Sequence, residues 1–137
     1  QIKTDDLVFI DDYAHHPEEI NAVHQAVREM YPGKEVLAIF QPHLFSRTRD
    51  FADGFAEALS MSDALWMLDI YPARELPIEG VNAEMILRKT TLTDRHLFTK
   101  KEVLAQVRAS MPELLLTVGA GDIDTLVEPL KNILSHD

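Results

Sequence analysis

Residues 10–17 read I-D-D-Y-A-H-H-P, so two carboxylates, a phenol and two imidazoles follow one another directly behind an apolar run. Carboxylates accept hydrogen bonds from hydroxyl groups, and imidazoles bind or exchange protons near neutral pH. A second polar stretch, Q-P-H-L-F-S-R-T-R-D over 41–50, brings one more imidazole and two guanidinium groups. A guanidinium fork suits a carboxylate bidentately, which a lysine cannot reproduce. Two shorter segments complete the set: Y-P-A-R at 71–74 and G-A-G-D at 119–122. Together these residue types describe a polar cleft in which an anion such as a carboxylate would be welcome.

Each of the four segments follows an apolar run that reads as a buried strand: 7–10, 36–40, 64–70 and 114–118, with a weaker candidate at 97–99. Helical patterns lie between them. Residues 17–30 space Ile20, Val23, Val27 and Met30 along one stripe, with Pro17 suited to a first turn. Residues 46–60 place Phe51, Phe55, Ala58 and Leu59 on another, and 82–90 open at the N-cap residue Asn82. Thr99 and Glu102 form a capping box, and the last helix starts near Asp122 with a kink or restart expected at Pro129. The alternation predicts an α/β fold, a Rossmann-like three-layer domain with a mostly parallel sheet and helices on both faces. In such sheets ligands bind beyond the carboxyl ends of the strands, so the four segments are expected to share one edge and form a cleft.

Within that cleft, Ser46 is expected to cap the helix after residue 45 and leave its N–H groups facing the ligand. Arg47 lies four residues before Phe51 and falls near the buried stripe, whereas Arg49 points the opposite way as a surface or interdomain charge. Asp11 is expected to start the turn and cap the next helix. His15 and His16 diverge on an extended chain, so at most one faces a ligand, and His16 beside Pro17 is the structural one. His24 and His136 are expected in solvent, and His96 has no motif around it. Gly-Ala-Gly before a helix is a weak phosphate signal on its own.

Length and composition set the bounds. The 137 residues form one domain, 46% hydrophobic, which excludes a disordered chain. The formal charge is −10 with no basic cluster, which speaks against a nucleic-acid partner. No apolar run approaches the ~18–20 residues that span a bilayer, and the chain contains no cysteine, which fits the cytoplasm. The chain opens at Gln1 without a methionine or leader, so a segment of a longer protein is expected.

D-D-Y-A-H-H-P-E-E-I, F-Q-P-H-L-F-S-R-T-R-D-F, L-D-I-Y-P-A-R-E and T-V-G-A-G-D-I, in this order and over nearly the whole chain, resemble the C-terminal domain of the Mur ligases. The resemblance implies a bacterial ligase of peptidoglycan synthesis. Such an enzyme activates the carboxylate of UDP-N-acetylmuramate with ATP as an acyl phosphate, which the amine of L-alanine then attacks; a recycled peptide is the alternative amine. ATP and Mg2+ would be held mainly by a central domain, and residues 1–137 would close over the nucleotide and amino acid without supplying a catalytic group. There is no G-x-x-x-x-G-K-[ST] motif, since the only Gly-Lys pair, Gly33-Lys34, is followed by Glu35. The UDP-sugar and ATPase domains are therefore expected to lie elsewhere, and this chain alone to be inactive. By the resemblance, Asp12 matches a contact to the ribose of ATP. Tyr13, His15, His43 and Arg47 match the amino-acid pocket, with Arg47 on the alanine carboxylate. Gly119, Gly121 and Asp122 would complete it, and Leu44 stands where relatives often place an arginine. Two rivals draw on the same residues: a metal-dependent hydrolase using Asp12, His15 and His43, and a plain binding module for small carboxylates.

Overall fold

The computed structural model describes residues 2–3 and 7–135. A six-stranded sheet runs in the order β1 (Ile2–Lys3), β2 (Val8–Asp12), β6 (Leu114–Val118), β3 (Val36–Phe40), β4 (Ala64–Met67) and β5 (Arg95–Leu97). The five strands from β2 to β5 in this order pair in parallel, and β1 adds an antiparallel edge on β2. Burial on both faces explains the uninterrupted apolar runs of β3 and β6, in which every residue is buried.

Side chains alternate between two cores. Val8, Ala38, Phe40, Met67, Leu114 and Leu116 face α1 (Pro17–Met30), α2 (Phe45–Leu59) and α3 (Glu84–Leu87). Phe9, Leu37, Ile39, Trp66 and Leu115 face α4 (Lys100–Ser110) and α5 (Val127–Ser135). Fully burying a side chain such as Phe55 or Ile20 contributes about 1.5–3 kcal/mol, so these two stripes decide where α1 and α2 sit. The α/β three-layer expectation is met.

Several boundaries differ. β4 stops at Met67 rather than at 70, because its neighbour β3 ends at Phe40 and the following Pro42 has no N–H to continue the ladder. Pairing resumes for one bridge, His43 to Tyr71. The last helix is divided: a 3-10 turn, Asp122–Leu126, precedes α5, and Pro129 occupies its first turn, where the missing N–H costs nothing. In α2, Phe51 breaks the helical dihedrals (φ −122°, ψ 20°), so residues before and after it follow different phases. Phe51 is 47% exposed instead of buried, and the inward stripe is Thr48, Ala52, Phe55 and Leu59. His24, expected in solvent, is 1% exposed. It follows Ile20 by four residues and precedes Val27 by three, which is the core stripe itself. Its two ring nitrogens meet the Ile20 carbonyl and the Ser62 hydroxyl. His136 lies outside the described residues.

Candidate functional site

One row across the sheet places the site: Asp12, Val118, Phe40, Met67 and Leu97 are register partners at the strand ends. The next residues of the chain therefore emerge side by side. Loops after β2 and β3 lead to helices on one face, and the loop after β6 leads to the other. Such divergence opens a crevice between adjacent strands, at the edge where the four motifs were expected.

From β2 comes the first wall. Asp12, Tyr13, Ala14, His15 and Glu19 line a depression of 480 Å³. The Asp12 carboxylate accepts from the Ala14 N–H (2.9 Å), which makes the tight turn out of the strand. That turn role had been expected of Asp11, which instead stays in β2 and accepts from the Thr117 hydroxyl (2.7 Å). Tyr13 is 70% exposed, its ring edge-on to His15. His15 Nδ1 lies 3.1 Å from the Tyr13 carbonyl; a carbonyl only accepts, so this nitrogen carries a proton. Glu19 accepts from the N–H groups of His15 and His16 at the start of α1. The two imidazoles do not diverge fully, with centroids 4.9 Å apart, but their outer neighbours differ: His15 meets His43 (6.1 Å) and His16 meets Phe51 (6.3 Å).

From β3 and α2 comes the second wall. Arg47 Nη1 donates to His43 Nδ1 (2.9 Å), one helical turn back. His43 therefore presents its Nε2–H, whereas His15 carries a proton on Nδ1. Burial lowers the His43 pKa, and the Arg47 cation and His15 lower it further against an opposing pull from Glu75. Neutral His43 keeps its lone pair for Arg47. On its other side the ring stacks on Tyr71 (5.8 Å, 13°). Arg49 is exposed and pairs with Asp50 (2.9 Å), as expected of a surface charge.

Ser46 does not cap α2. The helix begins at Phe45, and the Ser46 N–H and hydroxyl both donate to the Glu75 carboxylate. The helix end that was to face a ligand is filled by a residue of the loop after β4.

Behind these walls lies a third cluster. Gln41 is buried and accepts from the Ile123 N–H (2.8 Å), while its amide nitrogen donates to Asp122 (2.7 Å) and to the Asp69 carbonyl (3.3 Å). Lys100 donates to the other Asp122 oxygen (2.8 Å). Burial alone would raise the Asp122 pKa, but the bonds from Lys100 and Gln41 prevail and hold it below the usual carboxylate range. Gly119 (φ +143°) and Gly121 have a packing reason: a Cβ would sit 2.9 Å from the Gln41 carbonyl at Gly119, and 2.5 Å from Gln41 Oε1 and 2.6 Å from Tyr71 Cβ at Gly121. These glycines bring the β6 loop against Gln41 and Tyr71 rather than line a pocket themselves. Asp122 does line one, a depression of 260 Å³ with Gln41, Tyr71 and Lys100.

Tyr13, His15, His43 and Arg47 thus form one connected line, with Asp12 at its β2 end and the glycine turn supporting it from behind through Tyr71. Gln41 and Tyr71 lay in segments expected at this edge and Glu75 in a quoted motif, but neither they nor Lys100 had been given a role. A glutamine directly after a fully buried strand and before a proline was the available signal for Gln41; the others depend on contacts between distant segments. No group of three or more His, Asp or Glu side chains suited to a metal is present among the described residues.

Residues 1–123 match the family model described as "Mur ligase, glutamate ligase domain", and the chain belongs to that family as its C-terminal domain. Among curated proteins it is 59% identical to the UDP-N-acetylmuramate–L-alanine ligase of Flavobacterium johnsoniae, over all of this chain and 30% of that protein. The ligase of the same name from Christiangramia forsetii is 57% identical over the same shares. The chain spans about 30% of the length of these relatives. Among solved structures it is similar to the UDP-N-acetylmuramate-alanine ligase of Thermotoga maritima, with a TM-score of 0.62 and 25% identity over 93% of this chain and 26% of that one. A murein peptide ligase from Psychrobacter arcticus shares the fold, with a TM-score of 0.77 at 15% identity over all of this chain and 29% of that one.

Proposed function

We propose that this chain is the amino-acid-binding and nucleotide-closing domain of a cytoplasmic bacterial ligase that joins L-alanine to UDP-N-acetylmuramate with ATP and Mg2+. The UDP-sugar and central ATPase domains belong to the rest of that protein, and residues 1–137 are its third domain. The observation that carries the reading is the Arg47 guanidinium seated on His43 beside His15 at the open strand edge. Arg47 binds the carboxylate of the amino acid. His15 Nε2 is an acceptor for its amine, and the His43 Nε2–H a donor for an oxygen. Tyr13, exposed in this domain, covers the pocket from the β2 side. Asp12 keeps one carboxylate oxygen in its turn and offers the other to a ribose hydroxyl of ATP.

Binding nucleotide and amino acid on adjacent walls makes closure depend on both ligands. That arrangement protects an acyl phosphate, which must meet the amine before water. When bound, ATP would supply the phosphoryl group that activates the carboxylate of UDP-N-acetylmuramate as an acyl phosphate, leaving ADP, and its phosphates and Mg2+ are assigned to the central domain, because this chain has no P-loop motif. No helix of the described residues is long and apolar enough to cross a membrane.

The deciding measurement is amide formation by the complete protein with L-alanine or with a muramyl-type peptide as the amine, and by this chain alone. Alanine use by the complete protein and none by the chain alone is expected. Preference for the peptide, or ligase turnover from the chain alone, would overturn the reading.

A further inference from the structure

The depression next to His43 is walled by Leu44, Tyr71, Ala73, Arg74 and Glu75. Two of these residues hold conformations that side-chain-bearing residues seldom take: φ is 72° at Leu44 and 55° at Ala73. Such residues persist only where their surroundings over-determine them. Here the ties run between two loops. The Leu44 N–H donates to the Tyr71 carbonyl (2.8 Å) and the Tyr71 N–H to the Pro42 carbonyl (2.8 Å). The Leu44 carbonyl accepts from both the N–H (3.2 Å) and the hydroxyl (2.8 Å) of Thr48. Glu75 closes the clasp by accepting from the Ser46 N–H (3.1 Å) and the Ser46 hydroxyl.

The first turn of a helix attracts an anion through its unpaired N–H groups. In α2 that anion is resident. One residue further on stands Arg47, whose guanidinium reaches back to His43. The orientation of this arginine therefore depends on where the first turn of α2 is held, and Glu75 holds it.

We propose that Glu75 is a positioning residue for the amine substrate: by clasping the first turn of α2 it keeps Arg47 on His43 and aimed at the incoming carboxylate. Because Glu75 fills the helix end, the substrate carboxylate is left to Arg47 alone. This inference rests on the amino-acid site proposed above. Hydrogen bonds from the Ser46 hydroxyl, and from the N–H groups of Ser46 and Phe45, hold the Glu75 pKa below its ordinary value, so the clasp is charged at neutral pH.

The test combines kinetics of the complete ligase with nitrogen NMR of the His43 ring in this chain. Glu75→Ala should raise the KM for L-alanine about tenfold, since a small misplacement of a binding group has effects of that order or larger, and leave kcat and the KM for ATP within about twofold. Glu75→Gln, whose amide oxygen can still accept from the Ser46 N–H while its NH2 donates to the Ser46 hydroxyl oxygen, should recover most of the loss, and Ser46→Ala should show a smaller rise of the same kind. Glu79→Ala, in the same loop, should match the wild type. In Glu75→Ala the His43 ring should leave its Nε2–H form for a mixture of tautomers. An unchanged alanine KM in a folded Glu75→Ala protein, an equal rise for ATP, or no recovery with Gln would overturn the proposal. If Glu75→Ala does not fold, an unchanged alanine KM in Ser46→Ala does so. A wild-type ligase that ignores L-alanine would sink the functional reading instead, and the tautomer would still decide whether Glu75 governs the Arg47–His43 contact.

Discussion

The two edges of the sheet carry comparable numbers of polar groups and use them differently. At the amino ends of the strands, Glu35, Asp63, Asp94 and Glu113 line a depression of 410 Å³ around Trp66. Three of its four acids have partners within the fold, Asp94 on His96 (3.3 Å) among them. Asp63 accepts from the Val36 N–H (2.7 Å) and pairs with Arg28 (3.2 Å), whose other nitrogen donates to the Met61 carbonyl (2.6 Å). Lys34 lies 3.8 Å from Glu113. At the carboxyl ends the depressions are of similar size, but a guanidinium, two imidazoles and a carboxylate turn towards one crevice. Volume does not distinguish the edges; what does is whether the polar groups are spent on strand starts or arranged around an opening.

The sharpest way to break this contrast is to remove Arg47. In the complete ligase, Arg47→Ala should raise the KM for L-alanine at least about tenfold, since losing one partner of a desolvated charge pair costs about 2–5 kcal/mol. Arg47→Lys should recover only part, and Arg49→Ala should leave alanine use near the wild-type level. If Arg49→Ala proves the damaging change, the carboxyl edge has been read in the wrong phase.

The support behind the site comes next. Gly121→Ala forces a Cβ against Gln41 and Tyr71, and urea unfolding of this chain should show a loss of about 1–3 kcal/mol, the usual cost of overpacking. An unaltered midpoint would mean that the β6 loop is not pinned where it is drawn.

His24 gives the contrast a pH signature. Burial lowers its pKa in the folded chain, so the unfolded chain binds the proton more readily. Its contribution to stability is therefore complete above the unfolded value of about 6.5 and is lost as pH falls through the folded value. Urea midpoints between about pH 7 and pH 5 should decline in the wild type and decline less in His24→Gln. A steeper decline in the variant would contradict the neutral buried ring.

The smallest effect belongs to the amino edge. Lys34→Ala removes a solvent-exposed partner, worth about 0–1 kcal/mol, and should not touch the KM for alanine. An alanine defect from this edge would erase the distinction drawn between the two.

Much of this was legible in the sequence, and the failures have physical causes. β3 and β6 coincide with their apolar runs because strands buried on both faces leave no room for polar residues. α1 and the Thr99–Glu102 box were equally plain, since Pro17 and the capping pair act locally. Arg47 was put near the buried stripe through Phe51, which is itself 47% exposed, so its contact with His43 was not reached from that spacing. Phe51 could not be placed, because the break it sits on is invisible to a fixed helical period. Glu75 was hidden for another reason: its bond to Ser46 joins residues 29 positions apart across two loops, and nothing in either segment names the other. His24 was a misjudged phase rather than a missing signal.

The break at Phe51 also bears on how such a domain can change over generations. It divides α2 into a leading turn that carries Arg47 and a trailing stretch whose Phe55 and Leu59 are locked into the core. Substitutions at 46, 47, 49 and 50, which lie off the inward stripe, can re-aim the leading turn without repacking the interior, so ligand preference and folding are selected largely on separate parts of one helix.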